Sequence, residues 1–579
     1  MFKLLKSLKW IDYLFIVFVC GLIGLQVWLD LKLPDYMFNI TQELEAIGRG
    51  AEVDMVAILS NGGLMLACAF GSLGSAITVH FFTANISSRL AFNLRARVYE
   101  KIQNFSLQEM NRFSTSSLIT RTTNDITQVQ MFLTMGLQSL IKAPIMAVCA
   151  VVKILGKSWQ WSISTAVAIG ILVLVVTLVV IFAIPKFKKI QTLTDNINRV
   201  TRENLTGIRV VRASNAEDFQ NEKFEQCNDA ITKNNLFANR IMAIMGPTMN
   251  LVMSGMSLAI YWIGAYIVTD FAGLGNMMVF MSYSMQVVMA FMMLIMIFIL
   301  MPRALVSARR LNEVLDTKNS IVEGNYQDGL LISKASVVFE NVSFKYPDAD
   351  EYVLRNINFT ANRGETVAFI GSTGSGKSTL INLIPRLYDV TEGKVFVDGV
   401  DVKEYKSEIL NKKIGYVPQR GVLFSGSVRS NVDFGDNDAT EETIKKSIHV
   451  AQATNFVSRM SGGIDARIAQ GGTNVSGGQK QRLSIARAIA RNPEIFIFDD
   501  SFSALDYKTD RKLRSALKKH TENAIKFIVA QRIGTIKDAD KIIVLEKGEM
   551  VGIGTHEQLI NSCPVYQQIA LSQLSKEEL

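Results

Sequence analysis

A glycine-rich segment in the second half of the chain combines residue types that bind phosphate. It consists of glycine, four residues and then Gly-Lys-Ser-Thr. Glycines allow the backbone to fold so closely that its N–H groups surround a phosphate, a lysine reaches the outer phosphates, and a serine hydroxyl is a ligand for Mg²⁺. The candidate phosphate-binding residues are Gly371, Ser372, Thr373, Gly374, Ser375, Gly376, Lys377, Ser378 and Thr379.

The segments on either side of this loop fit the same role. An apolar strand over 366–370 precedes it, and a run that can form a helix, 378–387, follows it. Strand, glycine-rich loop and helix in this order are the context that a nucleotide-binding phosphate loop requires. Strand and helix patterns alternate from Val337 onward, which predicts an α/β nucleotide-binding domain over 336–579.

The first half of the chain has the composition of a membrane protein. The 579 residues are 49% hydrophobic, with a mean hydropathy of +0.22. Apolar runs of about 20 residues can span a bilayer as helices. Such runs lie at 11–34, 56–83, 131–155, 160–184, 241–269 and 275–301. They predict an all-α membrane domain over 1–301, followed by a linker over 302–335.

The distribution of charge predicts the orientation. Basic residues precede the first span and fill the long polar loops at about 85–130 and 185–240, whereas segment 35–54 is acidic. The positive-inside rule therefore predicts a multi-pass protein of the plasma membrane with both termini in the cytoplasm. The same loops account for the net charge of +9. Nucleic acid is not the expected partner, because no basic patch with interleaved aromatic residues is present.

Several further motifs accompany the phosphate loop in the second half of the chain. They are Tyr346 in Phe-Lys-Tyr-Pro, Gln419 in Tyr-Val-Pro-Gln, the run Val475-Ser476-Gly477-Gly478-Gln479, the strand 495–499 that ends in Asp499, and Ser-Ala-Leu-Asp506. Together with six spans, these motifs resemble half of an ABC exporter over the whole chain. The resemblance implies a multidomain membrane protein with a six-helix transmembrane ABC exporter domain and an α/β P-loop ABC ATPase domain.

The resemblance also assigns roles and ligands. ATP and Mg²⁺ would bind, with Tyr346 stacked on adenine. The metal would be held by Ser378, Gln419 and Asp499, and Asp506 would belong to the D-loop beside the nucleotide. The signature residues Ser476, Gly477, Gly478 and Gln479 begin a run with helical spacing, whose N-terminus would face the γ-phosphate bound by another subunit.

Two catalytic positions depart from the family pattern. Asp500 stands where the family has the glutamate that orients the attacking water, and Gln531 stands where it has a histidine. Misplacement of a reacting group by about 1 Å can cost about 100-fold in rate. Glutamine can donate a hydrogen bond but carries neither a positive charge nor a transferable proton. The pattern resembles the degenerate subunit of bacterial heterodimeric multidrug exporters, paired with a second half-transporter. The alternative is an active homodimer that tolerates both residues.

Candidate cargo contacts lie in the first and sixth spans. Methionines recur at helical spacing at 281, 285, 289, 292 and 296, and flexible thioethers suit a promiscuous apolar cavity. Packing or lipid contact is the alternative for Met281, Met285 and Met289. Gln26 and Asp30 lie one helical turn apart, and an acid at membrane depth is a candidate for attracting cationic drugs. Alternatively, Asp30 lies in the outer headgroup zone of the membrane and not at membrane depth.

The expected function is therefore ATP-driven efflux of lipophilic drugs or dyes across a lipid membrane. By resemblance, the helices would be swapped with those of a partner, and the tips of the polar loops near 107–115 and 215–221 would couple ATPase and membrane parts. A lipid flippase, a peptide exporter and a non-hydrolysing regulatory subunit remain alternatives.

Overall fold

The computed structural model describes residues 2–48, 54–155, 159–268, 271–327, 336–347, 349–435 and 439–573. The chain forms two compact units. The helical unit comprises Met1–Gln103 and Thr115–Thr317, and the α/β unit comprises Asn104–Ser114 and Lys318–Leu579. The predicted limits of 1–301, 302–335 and 336–579 stay a prediction, and 328–335 of the predicted linker lie outside the described residues.

Long helices make up the first part of the chain. In order, they are α1 (Phe2–Leu5), α2 (Trp10–Gly48), α3 (Met55–Gln103), α4 (Leu107–Phe113), α5 (Thr115–Thr120), a π-helical turn (Arg121–Asp125), α6 (Ile126–Leu155), α7 (Trp159–Thr206), α8 (Ile208–Ala213), α9 (Glu217–Ala243), α10 (Met245–Ile267) and α11 (Phe271–Asp316). Six helical stretches within them are long and apolar enough to cross a membrane. The predicted number of spans is confirmed.

The membrane helices are much longer than a bilayer requires. Helix α3 has 49 residues, which is about 70 Å at 1.5 Å per residue, whereas a hydrocarbon core is about 30 Å thick. Polar segments continue the apolar ones without a break in α3 and α7. Helix α11 likewise runs through the charged segment that the sequence assigns to the start of the linker.

The helical unit contains two groups of helices. Helices α2, α3, α6 and α11 pack side by side, while α7 packs along α9 and α10. The groups meet in a hydrophobic cluster that includes Trp161, Ile260 and Phe280. A hydrogen bond of 2.8 Å joins the hydroxyls of Thr165 and Ser284 across the same contact.

Twelve strands, ten α-helices and two short 3₁₀ helices build the described part of the α/β unit beyond α4. The strands are β1 (Ser336–Phe344), β2 (Leu354–Asn362), β3 (Thr366–Gly371), β4 (Glu392–Val397), β5 (Val400–Asp401), β6 (Ile414–Val417), β7 (Gly426–Ser427), β8 (Arg467–Ile468), β9 (Ile495–Asp499), β10 (Ile525–Val529), β11 (Lys541–Glu546) and β12 (Glu549–Gly554). The helices are α12 (Lys377–Asn382), α13 (Ser407–Lys412), α14 (Val428–Val432), α15 (Glu441–Val450), α16 (Thr454–Val457), α17 (Gly477–Ala490), α18 (Tyr507–His520), α19 (Ile533–Ile536), α20 (His556–Ser562) and α21 (Pro564–Leu571).

Two larger sheets organise this unit. One has the order β2-β1-β4-β5 with antiparallel pairs, and the other has the order β12-β11-β3-β10-β9-β6. In the second sheet all neighbours are parallel except β11 and β12. Its central strands β9 and β10 are buried along their whole length and are apolar except for Asp499 and Lys526, because both faces of a parallel sheet are covered.

The register of the central strands places the site. Val529 pairs with Phe369 of β3 and with Asp499 of β9, so these three strands end at the same edge. Ligands of parallel α/β sheets bind at the carboxyl edge of the strands. The loops that follow β3, β9 and β10 therefore bring the phosphate loop, Asp500 and Gln531 together, although these segments are far apart in sequence.

Candidate nucleotide-binding site

The phosphate loop connects β3 to α12 and has a conformation that requires glycine. Gly374 and Gly376 have φ values of +85° and +96°, which side-chain-bearing residues rarely adopt. A Cβ atom on Gly376 would also lie 2.7 Å from Cδ2 of Leu354. The loop therefore has a closely folded backbone, and its binding of a phosphate group stays a prediction.

The lysine of the loop folds back across it. Lys377 Nζ donates to the carbonyl oxygens of Gly371 and Ser372 at 2.8 and 2.7 Å. Burial lowers the pKa of Lys377, and the charges of Asp500 and Asp499 oppose that shift. Contact of this ammonium group with the outer phosphates of a nucleotide stays a prediction.

A hydroxyl and two carboxylates lie beside the loop. Ser378 Oγ donates to Asp499 Oδ1 at 2.7 Å. Burial raises the pKa of Asp499, the hydrogen bond from Ser378 opposes this, and the neighbouring Asp500 adds to it. The positive charge of Lys377 lowers the pKa of Asp499, but burial outweighs that effect. Oxygen ligands of this kind suit Mg²⁺, so Ser378 and Asp499 fit the predicted metal site.

The two residues that depart from the family pattern contact each other. Gln531 Nε2 donates to Asp500 Oδ2 at 2.9 Å, and Gln419 Nε2 lies 3.4 Å from the same oxygen. Asp500 is 8% exposed and has a positive φ of 45°. Burial raises the pKa of Asp500, while hydrogen bonds from Gln419 and Ser503 partly oppose the shift.

These groups surround a cavity of about 340 Å³. The predicted residues that line it are Thr373, Gly374, Gly376, Lys377, Ser378, Thr379, Gln419, Asp500 and Gln531. Val353 and Val529 also line it and were not predicted. Val529 ends β10 two residues before Gln531, so its position beside a predicted catalytic residue was the signal that could have identified it.

Tyr346 lies next to the phosphate loop. Its hydroxyl shares a hydrogen bond of 3.0 Å with Thr379 Oγ1. Its ring makes edge-to-face contacts with Phe344 and Tyr388, with centroids 5.0 and 5.3 Å apart. An aromatic ring in this place suits stacking on adenine, and its contact with a nucleotide stays a prediction.

The signature segment begins α17. Ser476 accepts a hydrogen bond from Gln479 N, and Gln479 Oε1 accepts one from Ser476 N at 2.8 Å, which is a capping box. Val475 is buried in a hydrophobic cluster, whereas Ser476 and Gly477 are exposed. Val475 is therefore accommodated in the core, and the N-terminus of the helix stays accessible.

The D-loop aspartate has a structural role in the chain itself. Asp506 is the N-cap of α18 and accepts a hydrogen bond from Thr509 N at 2.9 Å. This hydrogen bond lowers the pKa of Asp506. Neither Asp506 nor the signature residues line the cavity that contains Lys377.

The predicted acid of the first span is paired. Asp30 Oδ2 accepts from Lys142 Nζ at 3.1 Å, and Oδ1 accepts from Ser72 Oγ at 2.5 Å. Gln286 Nε2 donates to the carbonyl oxygen of Asp30 at 3.3 Å. Gln26 is buried, and its Oε1 has no partner among the described residues. Lys142 was missed in the sequence, although a lone lysine inside an apolar run is itself a signal.

The methionines of the sixth span fall into two groups. Met285 and Met289 line an open groove of about 210 Å³ with Met146, Gln286 and Met293. Met281 packs against the hydrophobic cluster between the two groups of helices instead. The side chain of the residue at 296 lies outside the described part of the chain, and contact of any of these residues with cargo stays a prediction.

Comparison with known proteins gives the family. Residues 354–503 match the model of the ABC transporter family, and residues 46–291 match that of the ABC transporter transmembrane region. An uncharacterized ABC transporter ATP-binding protein of Mycobacterium tuberculosis (strain CDC 1551 / Oshkosh) is 39% identical over 94% of this chain and 93% of that protein. The chain belongs to the ABC transporter family.

Two more relatives carry names that describe a cargo. An ATP-dependent lipid A-core flippase of Syntrophus aciditrophicus (strain SB) is 31% identical over 85% of this chain and 82% of that protein. A multidrug resistance ABC transporter ATP-binding and permease protein of Lactococcus lactis subsp. lactis (strain IL1403) is 28% identical over 99% and 95%.

A solved structure has the same fold. The structure of a bacterial Atm1-family ABC exporter with ATP bound matches with a TM-score of 0.80 and 22% identity, over 97% of this chain and 98% of that one. This ABC transporter is thus a multi-pass membrane protein of the exporter fold. Its ATPase domain is of the kind that binds ATP, generally with Mg²⁺, and couples ATP hydrolysis to transport, and ABC exporters work as dimers.

Proposed function

We propose that this ABC transporter exports lipophilic drugs or dyes as one subunit of a heterodimer with two unequal ATP sites. The observation that carries the proposal is the hydrogen bond of 2.9 Å between Gln531 Nε2 and Asp500 Oδ2. Both departures from the family pattern lie in one contact, at the place where the attacking water would be oriented.

The chain's own site is then a slow one. A general base must reach the proton that it removes, and the shorter side chain of Asp500 is instead bound by the amide of Gln531. The amide is neutral, so it supplies less stabilisation than a cationic histidine to the charge on the transferring phosphoryl group. The site binds ATP with an intact loop and hydrolyses it slowly.

The remaining groups keep their usual tasks. On nucleotide binding, Lys377 would exchange the carbonyl oxygens of Gly371 and Ser372 for the outer phosphates. Ser378 and Asp499, with Gln419 nearby, would hold Mg²⁺, which supplies charge neutralisation at the β- and γ-phosphates. The loop N–H groups would fix the phosphates in line for attack by water.

The intact signature gives this chain its role at the second site. Exposed N–H groups at the start of α17 are available to an anion. We propose that the partner supplies the phosphate loop (Walker A) and the strand that ends in the metal-binding aspartate (Walker B) of that site, with glutamate and histidine at the two catalytic positions. The productive site is therefore shared between the partner and Ser476–Gln479.

The helical unit supports an exchange of helices between subunits. Helix α7 packs along α9 and α10, and this group meets the other helices in the cluster around Trp161 and Phe280. We propose that the far ends of these helices pack on the partner. Both termini would lie on the cytoplasmic side of the plasma membrane, as the basic loops predict.

The cargo surface in this proposal is the methionine groove. Met285, Met289 and Met293 offer adaptable apolar contacts, and Gln286 offers a polar one. Lys142 neutralises Asp30, which reduces the attraction of this carboxylate for cationic cargo. A lipid is the second candidate cargo, supported by this apolar groove and by the similarity of the chain to the lipid A-core flippase of Syntrophus aciditrophicus.

Intact-complex mass spectrometry of the transporter isolated from its native membrane tests the heterodimer. We expect a second, different half-transporter at equal stoichiometry. A homodimer would overturn the asymmetric model, and Asp500 would then have to act as the base in two equivalent sites.

Transport by everted vesicles that contain the complex tests the cargo. We expect ATP-dependent uptake of ethidium, and loss of that uptake when the partner's Walker B glutamate is removed. Transport that continues after this change would identify a nucleotide-gated path rather than a pump. Movement of a fluorescent phospholipid without any dye uptake would favour the lipid flippase.

A further inference from the structure

Tyr388 contacts two parts of the α/β unit that have separate tasks. It follows α12, is 8% exposed, and its ring lies edge-to-face against Tyr346 with planes at 88°. Its hydroxyl accepts a hydrogen bond from Asn111 Nδ2 at 3.2 Å. Asn111 belongs to α4, the short helix that the chain forms between α3 and α5. One side chain therefore contacts both the predicted adenine platform and α4.

The series of contacts extends to the phosphate loop. Thr379, two residues after Lys377, shares a hydrogen bond of 3.0 Å with the hydroxyl of Tyr346. Edge-to-face aromatic pairs and hydrogen bonds both depend on orientation. One series of contacts therefore runs from Thr379 through Tyr346 and Tyr388 to Asn111.

Helix α4 is fixed on its other side as well. The carboxylate of Glu109, which is 5% exposed, accepts from Ser106 N at 2.9 Å and from Ser320 N at 3.1 Å. Burial tends to raise the pKa of Glu109, but the hydrogen bonds from Ser106 and Ser320 outweigh this and hold its pKa below the usual value. Ser320 follows the end of α11, so α4 is tied to the segment that leaves the last membrane helix.

We propose that Tyr388 is a positioning residue that passes nucleotide occupancy from Tyr346 to α4. A stacked adenine would restrict the Tyr346 ring, which in turn would hold the Tyr388 hydroxyl against Asn111. Helix α4 lies between α3 and α5 along the chain, so how firmly α4 is held affects the ends of these two helices. The inference rests on Tyr346 as the adenine platform, and on neither the heterodimer nor the identity of the cargo.

Amide hydrogen exchange in segment 104–114 tests the proposal. The full-length protein, with any subunit that co-purifies, is compared in lipid nanodiscs with and without saturating Mg²⁺ and adenylyl imidodiphosphate. We expect the nucleotide to slow exchange in this segment about fivefold or more, the lower end of usual coupling between sites. In Tyr388→Phe, which keeps the ring pair but removes the acceptor oxygen, we expect slowing of less than about twofold.

Tyr352→Phe is the matched control. It removes another tyrosine hydroxyl of the same unit, which donates to Glu392 at 2.7 Å, and it should retain the full effect of the nucleotide. Asn111→Ala should lose as much of the nucleotide-dependent slowing of exchange as Tyr388→Phe does. The double variant should lose no more of it than either single variant, because the two residues form one contact.

Two results would overturn the proposal. One is a wild-type protein in which 371–379 becomes protected by the nucleotide but 104–114 does not. The other is a Tyr388→Phe variant that keeps the full slowing. Neither result bears on export or on subunit composition, which the mass spectrometry and vesicle experiments test. A homodimer would likewise leave this inference intact.

Discussion

At the scale of single residues, the main feature of the site is how neighbouring groups offset the negative charges of two buried carboxylates. Asp499 and Asp500 are adjacent, buried and raised in pKa, with Ser378 and Gln531 as neutral hydrogen-bond partners. Lys377 is the nearby cation, and its own pKa is lowered by burial.

Replacing both unusual catalytic residues should speed the chain's own site. We expect Asp500→Glu with Gln531→His to raise ATP hydrolysis there by about tenfold or more, since about 1 Å in the position of a reacting group can be worth about 100-fold. Hydrolysis is measured in a complex whose partner site is silenced by removal of its Walker B glutamate. Because the two side chains are in contact, the effects of the single substitutions on the hydrolysis rate should not add up to the effect of the double substitution.

An unchanged rate in the double variant would place the defect in the partner's signature. The matched control is Asp510→Glu, which lengthens another buried aspartate of the same unit that is paired with Arg514. That variant should leave the rate of the chain's own site unchanged.

Removing one buried charge should stabilise the nucleotide-free protein. The pKa of Asp499 is raised in the folded state, so its contribution to stability is present below the usual aspartate pKa and is lost as pH rises through the folded value. At pH 7 we therefore expect Asp499→Asn to raise Tm by about 2–4 °C, which corresponds to about 1 kcal/mol. The same variant should lose the gain in Tm that Mg²⁺ with ATP gives the wild type. A lower Tm without nucleotide would contradict this account.

At the scale of elements, pairs of ionised residues join the membrane helices. Lys142 and Lys153 of α6 pair with Asp30 and Asp35 of α2 at 3.1 and 2.7 Å. Lysine and aspartate are costly within a span unless they are paired, so each pair specifies how α2 and α6 lie against each other. The charged residues of one span therefore have to be interpreted together with those of the neighbouring span.

The pair of Asp30 and Lys142 separates cargo attraction from helix packing. We expect Asp30→Asn to reduce export of ethidium and of a neutral dye equally, because it leaves Lys142 without its partner. The exchanged variant Asp30→Lys with Lys142→Asp should recover part of the export of both. A selective loss of ethidium export in Asp30→Asn would instead support direct attraction of cationic cargo by this carboxylate.

At the scale of the whole molecule, the ATPase is divided between motifs that do not meet within one chain. Lys377 and Asp500 line one cavity, whereas Ser476 begins an exposed helix elsewhere in the α/β unit. In the proposed heterodimer, the phosphate loop and the signature segment of this chain contribute unequally to ATP hydrolysis. The loop belongs to the slow site, and the signature segment belongs to the fast site of the partner.

This asymmetry predicts unequal effects of two substitutions. We expect Ser476→Arg to abolish most ATP hydrolysis by the complex, since a bulky cation would occupy the exposed start of α17. The loss of hydrolysis in Lys377→Met should be less than about half of the loss in Ser476→Arg, because Lys377→Met disables only the slow site. Steady-state hydrolysis by the purified complex is the measurement. Equal losses from both substitutions would be expected of two equivalent sites and would contradict the model.

Much of the fold could be predicted from local pattern. Six apolar runs indicate six spans because a bilayer requires about 20 apolar residues in each. The phosphate loop could be recognised because its glycines, lysine and serine are contiguous, and the signature because a helix N-terminus is a local feature. Chemistry that lies within one short segment is readable without a structure.

Contacts between distant segments required the tertiary structure. In the sequence, Asp500 and Gln531 are two separate departures from the family pattern. The parallel pairing of β9 and β10 brings Gln531 Nε2 to within 2.9 Å of Asp500 Oδ2. The partner of Asp30, the division of the methionines, and the contact of Tyr388 with Asn111 likewise depend on packing. Residue type and spacing determine what a segment can do, whereas the sheet register and helix packing decide which segments act together.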